Sequence, residues 1–204
     1  VYNGYDAVKR DRAASDERSG ANKFRIKYVG NLTEGQKLAE AVAMLRSAFT
    51  DLDFELSFIG TRLDRAQLQT LADEIPGNFI HKGFVPHHQA LGEMADSELL
   101  LLLINYYEGF EGMLTTKLFE YVASGTRIIC VGPHGGEAEE LIQTFNAGAC
   151  FDITEHSQAV EFLRTLHDAW KAGKQIKNTT DTSELSARNQ GRKLIRLLRG
   201  EKKG

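Results

Sequence analysis

The stretch ELLLLLI, Glu98–Ile104, contains the longest apolar run in the chain, Leu99–Ile104. Its leucines show neither a period of two nor one of 3.6, so it fits neither a one-sided strand nor an amphipathic helix. A short apolar run between polar residues fits a strand covered on both faces, as at the centre of a parallel sheet. Outward from it, strand-like and helix-like segments alternate. FRIKYVG (Phe24–Gly30) and FELSFIG (Phe54–Gly60) read as strands ending in glycine, and Asn78–His81, Arg127–Val131 and Ala149–Asp152 as further strands. Helical spacing falls between them. Leu38, Val42, Leu45 and Phe49 form one stripe, and Leu68, Leu71 and Ile75 another. More helices are predicted over 86–95, 136–146, 157–172 and 184–199. This alternation predicts an α/β fold, a Rossmann-like parallel sheet with helices on both faces. Ligands of such sheets bind beyond the carboxyl ends of the strands. The segments to inspect are therefore Asn31–Thr33, Thr61–Arg62, Gly83–Val85, Asn105–Met113 and Gly132–Gly136.

Composition narrows the classes. With 204 residues, 42% of them hydrophobic, the chain can bury one good core, and its length suggests one domain, two at most. A net charge of −3 provides no basic field, which argues against nucleic acid as a partner. An anionic ligand would have to be held by local features such as helix N-termini. Cys130 and Cys150 lie in strand-like runs and read as free thiols, in keeping with a reducing, cytoplasmic compartment. No run is long enough to cross a bilayer and no secretory leader is visible. The polar start, VYNGYDAVKR, reads as the interior of a longer chain, and residues 1–22 as a linker or peripheral segment.

LTTKLFEYVASGTRIICVG (Leu114–Gly132) reads as a short helix, a glycine stop at Gly125 and a buried strand. Leu114, Leu118, Tyr121 and Val122 form the core stripe, and Thr115 or Thr116 can serve as N-cap. Lys117 and Glu120 share a face, so one reading is an ordinary capped helix with a surface ion pair. The loop before it, NYYEGFEGM, supports another. Gly109 and Gly112 allow close backbone approach, and the helix start offers free N–H groups and a positive dipole end, a place for a diphosphate. A glutamate one turn in can accept hydrogen bonds from a vicinal diol such as a ribose.

GMLTTKLFEYVASGTRIICVG resembles the donor-binding signature of retaining glycosyltransferases of the GT-B fold, group 1 (family GT4). VYNGYD, FRIKYVGNLTEGQK, HKGFVPHHQALGEMADSELLLLLI and LSARNQGRKLIRLL resemble, in order, further segments of the C-terminal half of those enzymes. The resemblance implies one half of a GT-B fold. Residues 23–180 would form the nucleotide-sugar-binding domain, and residues 181–204 a closing helix that packs toward the absent N-terminal, acceptor-binding domain. It implies transfer of a sugar, with retention, from a nucleoside-diphosphate donor to a glycan or lipid-linked acceptor, as in polysaccharide or glycolipid pathways. No metal or other cofactor is expected. An isolated half would bind donor and turn over poorly.

Roles carried over from the family place Glu120 on the ribose hydroxyls. Gly112, Met113, Leu114 and Thr115 would face the sugar and phosphates, Gly30 and Asn31 the diphosphate, and Phe84 and Val85 the base. Two departures stand out. The position of the family's second glutamate holds Gly112, leaving Glu111 as the nearby catalytic candidate. The family's arginine and lysine on the diphosphate are replaced by Asn31 and Gln36, leaving Arg62 or Lys117 to substitute. Lys117, Thr115 and Thr116 complete the donor-binding set.

Other residues carry plainer readings. His87 and His88 read as surface or capping histidines, His134 as a turn residue near the ligand edge, and Glu137 as a helix-dipole partner. Tyr106, Tyr107 and Phe110 read first as interdomain packing and second as sugar stacking. The closing helix, with Arg188, Arg192, Lys193, Arg196 and Arg199 beside Leu194, Ile195, Leu197 and Leu198, reads as packing across to another domain ahead of peripheral membrane contact. Two other functions remain open: a nucleotide-sugar epimerase, with Glu108, Glu111 or His134 as acid or base, and a non-catalytic nucleotide-sugar-binding module.

Overall fold

The computed structural model describes Tyr5, residues 23–109 and residues 115–199. Six strands, β1 (Phe24–Val29), β2 (Phe54–Ile59), β3 (Phe79–Lys82), β4 (Leu99–Leu103), β5 (Arg127–Val131) and β6 (Gly148–Phe151), form one sheet in the order β3-β2-β1-β4-β5-β6. Every pairing is parallel. The chain winds outward from β1 to β3, crosses back, and winds outward again from β4 to β6. The order reverses between β1 and β4, which opens a crevice beyond their carboxyl ends.

The leucine run explains why helices lie on both faces. Leu99, Leu101 and Leu103 point into one core with α1 (Leu38–Ala48), α2 (Arg65–Glu74) and α6 (His156–Lys171). Leu100 and Leu102 point into the other with α3 (His87–Ala95), α4 (Thr116–Ser124) and α5 (Glu137–Thr144). All five leucines are buried, so a polar residue at any of them would face one core or the other.

Three details differ from expectation. The first helix begins at Leu38 and not near Gly35, because Gln36 pairs with Asn105 in an antiparallel bridge that holds the chain extended. Asp64 and Gln67 form a reciprocal capping box that sets the start of α2. The closing helix is a 3-10 turn, Ser183–Leu185, followed by α7 (Ala187–Leu198) with Ser186 as N-cap. Of the segment 1–22 read as a linker, only Tyr5 is described. It is bound, accepting from Ala187 N at 2.8 Å and donating its own N–H to Leu185 O at 3.0 Å. No helix among the described residues is long and apolar enough to cross a membrane.

Candidate functional site

Helix α4 follows β4 and starts at the crevice. Gly125 ends it in the left-handed conformation at φ 72°, and Leu118, Phe119, Tyr121 and Val122 bury its inner face. Tyr121 fixes it against β1, its hydroxyl accepting from Val29 N at 2.8 Å. The N-terminal end is thereby aimed at the turn after β1. Gly30 in that turn has φ 99°, and a Cβ there would lie 3.1 Å from Lys117 Cε. Glycine is needed both for the backbone and for the lysine that passes over it.

The surface ion pair of the plainer reading, between Lys117 and Glu120, does not form; each turns to a different neighbour. Lys117 Nζ lies 4.0 Å from the centroid of the Tyr28 ring and donates to the Tyr28 hydroxyl at 2.7 Å. No carboxylate pairs with it among the described residues. Withdrawal from water pushes its pKa down to about 7. Burial likewise raises that of Tyr28, so the phenol stays neutral and passes its one proton to Asn31 O (2.8 Å) or Gln36 Oε1 (3.1 Å). Gln36 also accepts from Thr33 N at 3.1 Å and donates to Leu103 O at 2.8 Å, while Thr33 Oγ1 donates to Asn105 Oδ1 at 2.9 Å. Gln36 thus cross-links the turn after β1 to the end of β4. A lysine there would lack the acceptor oxygen that this network uses.

Thr115 occupies the N-cap position of α4, yet its side chain makes no cap bond, and its buried Oγ1 has no hydrogen-bond partner among the described residues. Buried polar atoms are nearly always paired, so this one is an exception. Thr116 and Lys117 fall in the first turn, where backbone N–H groups have no helical carbonyl to bond. The lysine over Gly30 has no counter-charge among the described residues, and it sits in the first turn of a helix whose N-cap hydroxyl is unpaired among them. Together they favour an anion.

Glu120, whose side chain is 14% exposed, bonds through Oε1 to His87 Nε2 at 2.7 Å. His87 was expected to be a surface or capping histidine. It is exposed, but it caps nothing and contacts Glu120 instead. Phe84 is 92% exposed at the end of β3, whereas Val85 packs against the second core. Arg62 is exposed, with no ion pair among the described residues. Gly30, Asn31, Thr115, Thr116, Lys117 and Glu120 thus lie along α4 and the β1 turn. Phe84, Val85 and Arg62 follow the outer strands β3 and β2. Glu111, Gly112, Met113, Leu114 and Phe110 lie outside the described residues.

Beside the crevice, His134 is a clamp and not a plain turn residue. Its Nδ1 meets Glu139 Oε1 at 2.9 Å and its Nε2 meets Glu155 Oε2, joining the loops after β5 and β6. Its pKa is raised, first by the bond to Glu155, then by that to Glu139. Tyr106 ties the same edge down, with its hydroxyl donating to Asp152 Oδ2 at 3.0 Å and accepting from Ile153 N at 3.0 Å. Among the described residues, no three His, Cys, Asp or Glu side chains gather as a metal site.

The fold and its rim define a Rossmann-like domain whose crevice is equipped for an anion. Residues 9–182 match the family described as glycosyl transferases group 1, and the chain belongs to that family. Solved structures of GT-B glycosyltransferases share its fold. The apo lipopolysaccharide outer core galactosyltransferase WaaB superposes with a TM-score of 0.64 at 18% identity, covering 98% of this chain and 55% of that one. The pneumococcal O-GlcNAc transferase GtfA, in complex with UDP and GlcNAc, gives 0.58 at 16%, covering 96% and 38%. WaaG, a glycosyltransferase involved in lipopolysaccharide biosynthesis, gives 0.56 at 19%, covering 87% and 47%. The chain thus spans about 38–55% of the length of these structures. No curated protein sequence matches it.

Proposed function

We propose that this chain is the donor-binding, C-terminal half of a retaining GT4-type glycosyltransferase, and that the crevice between β1 and β4 holds a nucleoside-diphosphate sugar. The observation that carries this is Lys117, partly buried at the start of α4 without a counter-ion among the described residues, two positions after Thr115, whose hydroxyl is unpaired among them. A diphosphate there would receive the lysine's charge and the free amides of the first helical turn. Glu120 would accept from the ribose, and the chain around Phe84 and Val85 would face the base.

In transfer, negative charge builds on the leaving diphosphate. Donors already fixed in place stabilise that charge without reorganising. Lys117 would supply the cation that Asn31 and Gln36 do not. No metal is required for this role. The acceptor, a glycan or lipid-linked sugar, would arrive from a second domain in a cytoplasmic enzyme. The exposed Leu197 and Leu198 of α7 would pack toward that domain. Glu111 is the proposed catalytic carboxylate. The epimerase alternative loses one acid–base candidate, because both ring nitrogens of His134 are engaged by carboxylates.

Calorimetry with UDP, GDP, ADP and their sugars tests the proposal. One nucleotide series should bind, and Glu120→Ala should weaken it. Absence of binding throughout would overturn it.

A further inference from the structure

His87 is the first residue of α3 and lies two positions after Val85. Pro86, at φ −57° and ψ 146°, is the N-cap that leads the chain from the end of β3 into the helix. At 58% exposure the His87 side chain adds little to either core. Its hydrogen bond is to Glu120 Oε1. An ionised carboxylate only accepts, so Nε2 carries the hydrogen whether the ring is neutral or charged. The other oxygen, Glu120 Oε2, has no protein partner among the described residues and is not among their buried unpaired atoms, so it reaches solvent from a side chain that is otherwise largely enclosed. A carboxylate oxygen held open to solvent in this way can accept from a ligand hydroxyl.

We propose that His87 is a positioning residue for Glu120. It holds Oε1 and thereby presents Oε2 to the hydroxyls of a pentose. This rests on the donor reading above and extends it, because the imidazole joins the chain that would face the base to the carboxylate that would read the sugar ring. Without His87 the Glu120 side chain is free to change rotamer, and each productive contact must first bear the cost of fixing it. The recognised feature is the vicinal diol of a ribonucleoside diphosphate.

The test is titration calorimetry on the full chain with UDP, GDP and ADP, with their 2′,3′-dideoxy counterparts, and with inorganic pyrophosphate. The wild-type chain should prefer the ribose form of the nucleotide it binds. His87→Ala should reduce that preference about fivefold and leave pyrophosphate affinity unchanged. His87→Gln, which keeps a donor, should recover part of the preference. In a Glu120→Ala background, His87→Ala should have no further effect. If His87→Ala keeps the full preference while Glu120→Ala loses it, this inference is overturned and the donor reading stands. If His87→Ala weakens pyrophosphate and nucleotide equally, with a lowered melting temperature, the residue is merely structural and the inference is again overturned. If the wild type binds no nucleotide, or shows no ribose preference, both fall together.

Discussion

Among the described residues, Lys27 is buried against Glu93, whereas Lys117 and Lys177 are withdrawn from water without a carboxylate partner, one at each end of the sheet, and are held in different ways. At the amino end, Lys177 donates to Ala95 O at 2.8 Å, to Thr126 Oγ1 at 2.7 Å and to Ser97 O. Three oxygens replace its water, and the segment after α6 is thereby anchored beneath β4 and β5. At the carboxyl end, Lys117 has one phenol and the face of the same ring. Burial lowers the pKa of both, Lys177 to about 8 and Lys117 to about 7. An ammonium ion with three donors and three acceptors has a completed structural role. An ammonium ion with one acceptor, next to an uncapped helix start, still has capacity for a ligand.

Replacing each lysine by methionine should give opposite phenotypes, and this is the largest expected effect. Lys117→Met should weaken nucleotide-sugar binding about 50-fold, by loss of charge-assisted hydrogen bonds, and should leave the melting temperature nearly unchanged. Lys177→Met should leave binding unchanged and lower stability by about 2 kcal/mol, because three acceptors lose their donor. Calorimetry and thermal denaturation of the two variants check both. The comparison breaks if the phenotypes match.

The pH dependence sharpens it. Protonated Lys117 should be the binding form, so affinity for a UDP-sugar, whose diphosphate has no proton titrating near neutrality, should fall on the order of tenfold or more between pH 6 and pH 8.5. Binding near pH 7 should take up a proton, visible as a dependence of binding heat on the buffer's ionisation enthalpy. The linkage to folding has the opposite sign. Both lysines have folded pKa values below the unfolded value of 10.5, so the unfolded chain binds more protons between about 7 and 10.5. Their contribution to stability should therefore rise with pH across that window. In Lys117→Met the affinity change across pH should vanish.

His134 should behave in the reverse sense, with a smaller effect. Its folded pKa is raised by Glu155 and Glu139, so its stabilisation is complete below the ordinary imidazole value of 6.5 and is lost as pH rises through the raised folded value. With a side chain 44% exposed, His134→Gln should cost about 1 kcal/mol or less at pH 6, and less still at pH 9, as read by denaturant melts. The smallest expected effect is that of Thr115→Val. Replacing an unpaired buried hydroxyl with a methyl group should not destabilise the free chain, and nucleotide affinity should fall about threefold.

The fold was largely legible because its signals are local. The leucine run placed β4, Arg127–Val131 is the span of β5 as read, and Gly125 stops α4 in the left-handed conformation that only glycine adopts cheaply. The Asp64–Gln67 capping box is equally local, a D-x-x-Q spacing just ahead of the Leu68 stripe. The start of α1 was not legible, because Gln36 is held by Asn105, 69 positions away, through the bridge between them. The candidate site divides in the same way. Gly30, Lys117 and Glu120 were picked out by their motif, and the fold brings Lys117 over Gly30. Tyr28, Gln36 and His87 were not picked out as site residues. Tyr28 reads as one more strand residue, and neither its bond to Lys117, 89 positions away, nor that of His87 to Glu120, 33 away, leaves a trace in spacing.

The most direct measurement is a crystal structure of the chain soaked with UDP. The account predicts the diphosphate at the start of α4, within hydrogen-bond distance of Lys117 Nζ and Thr115 Oγ1, with the ribose on Glu120. Nucleotide bound elsewhere, or Lys117 Nζ bonded to no phosphate oxygen at saturating UDP, would contradict it.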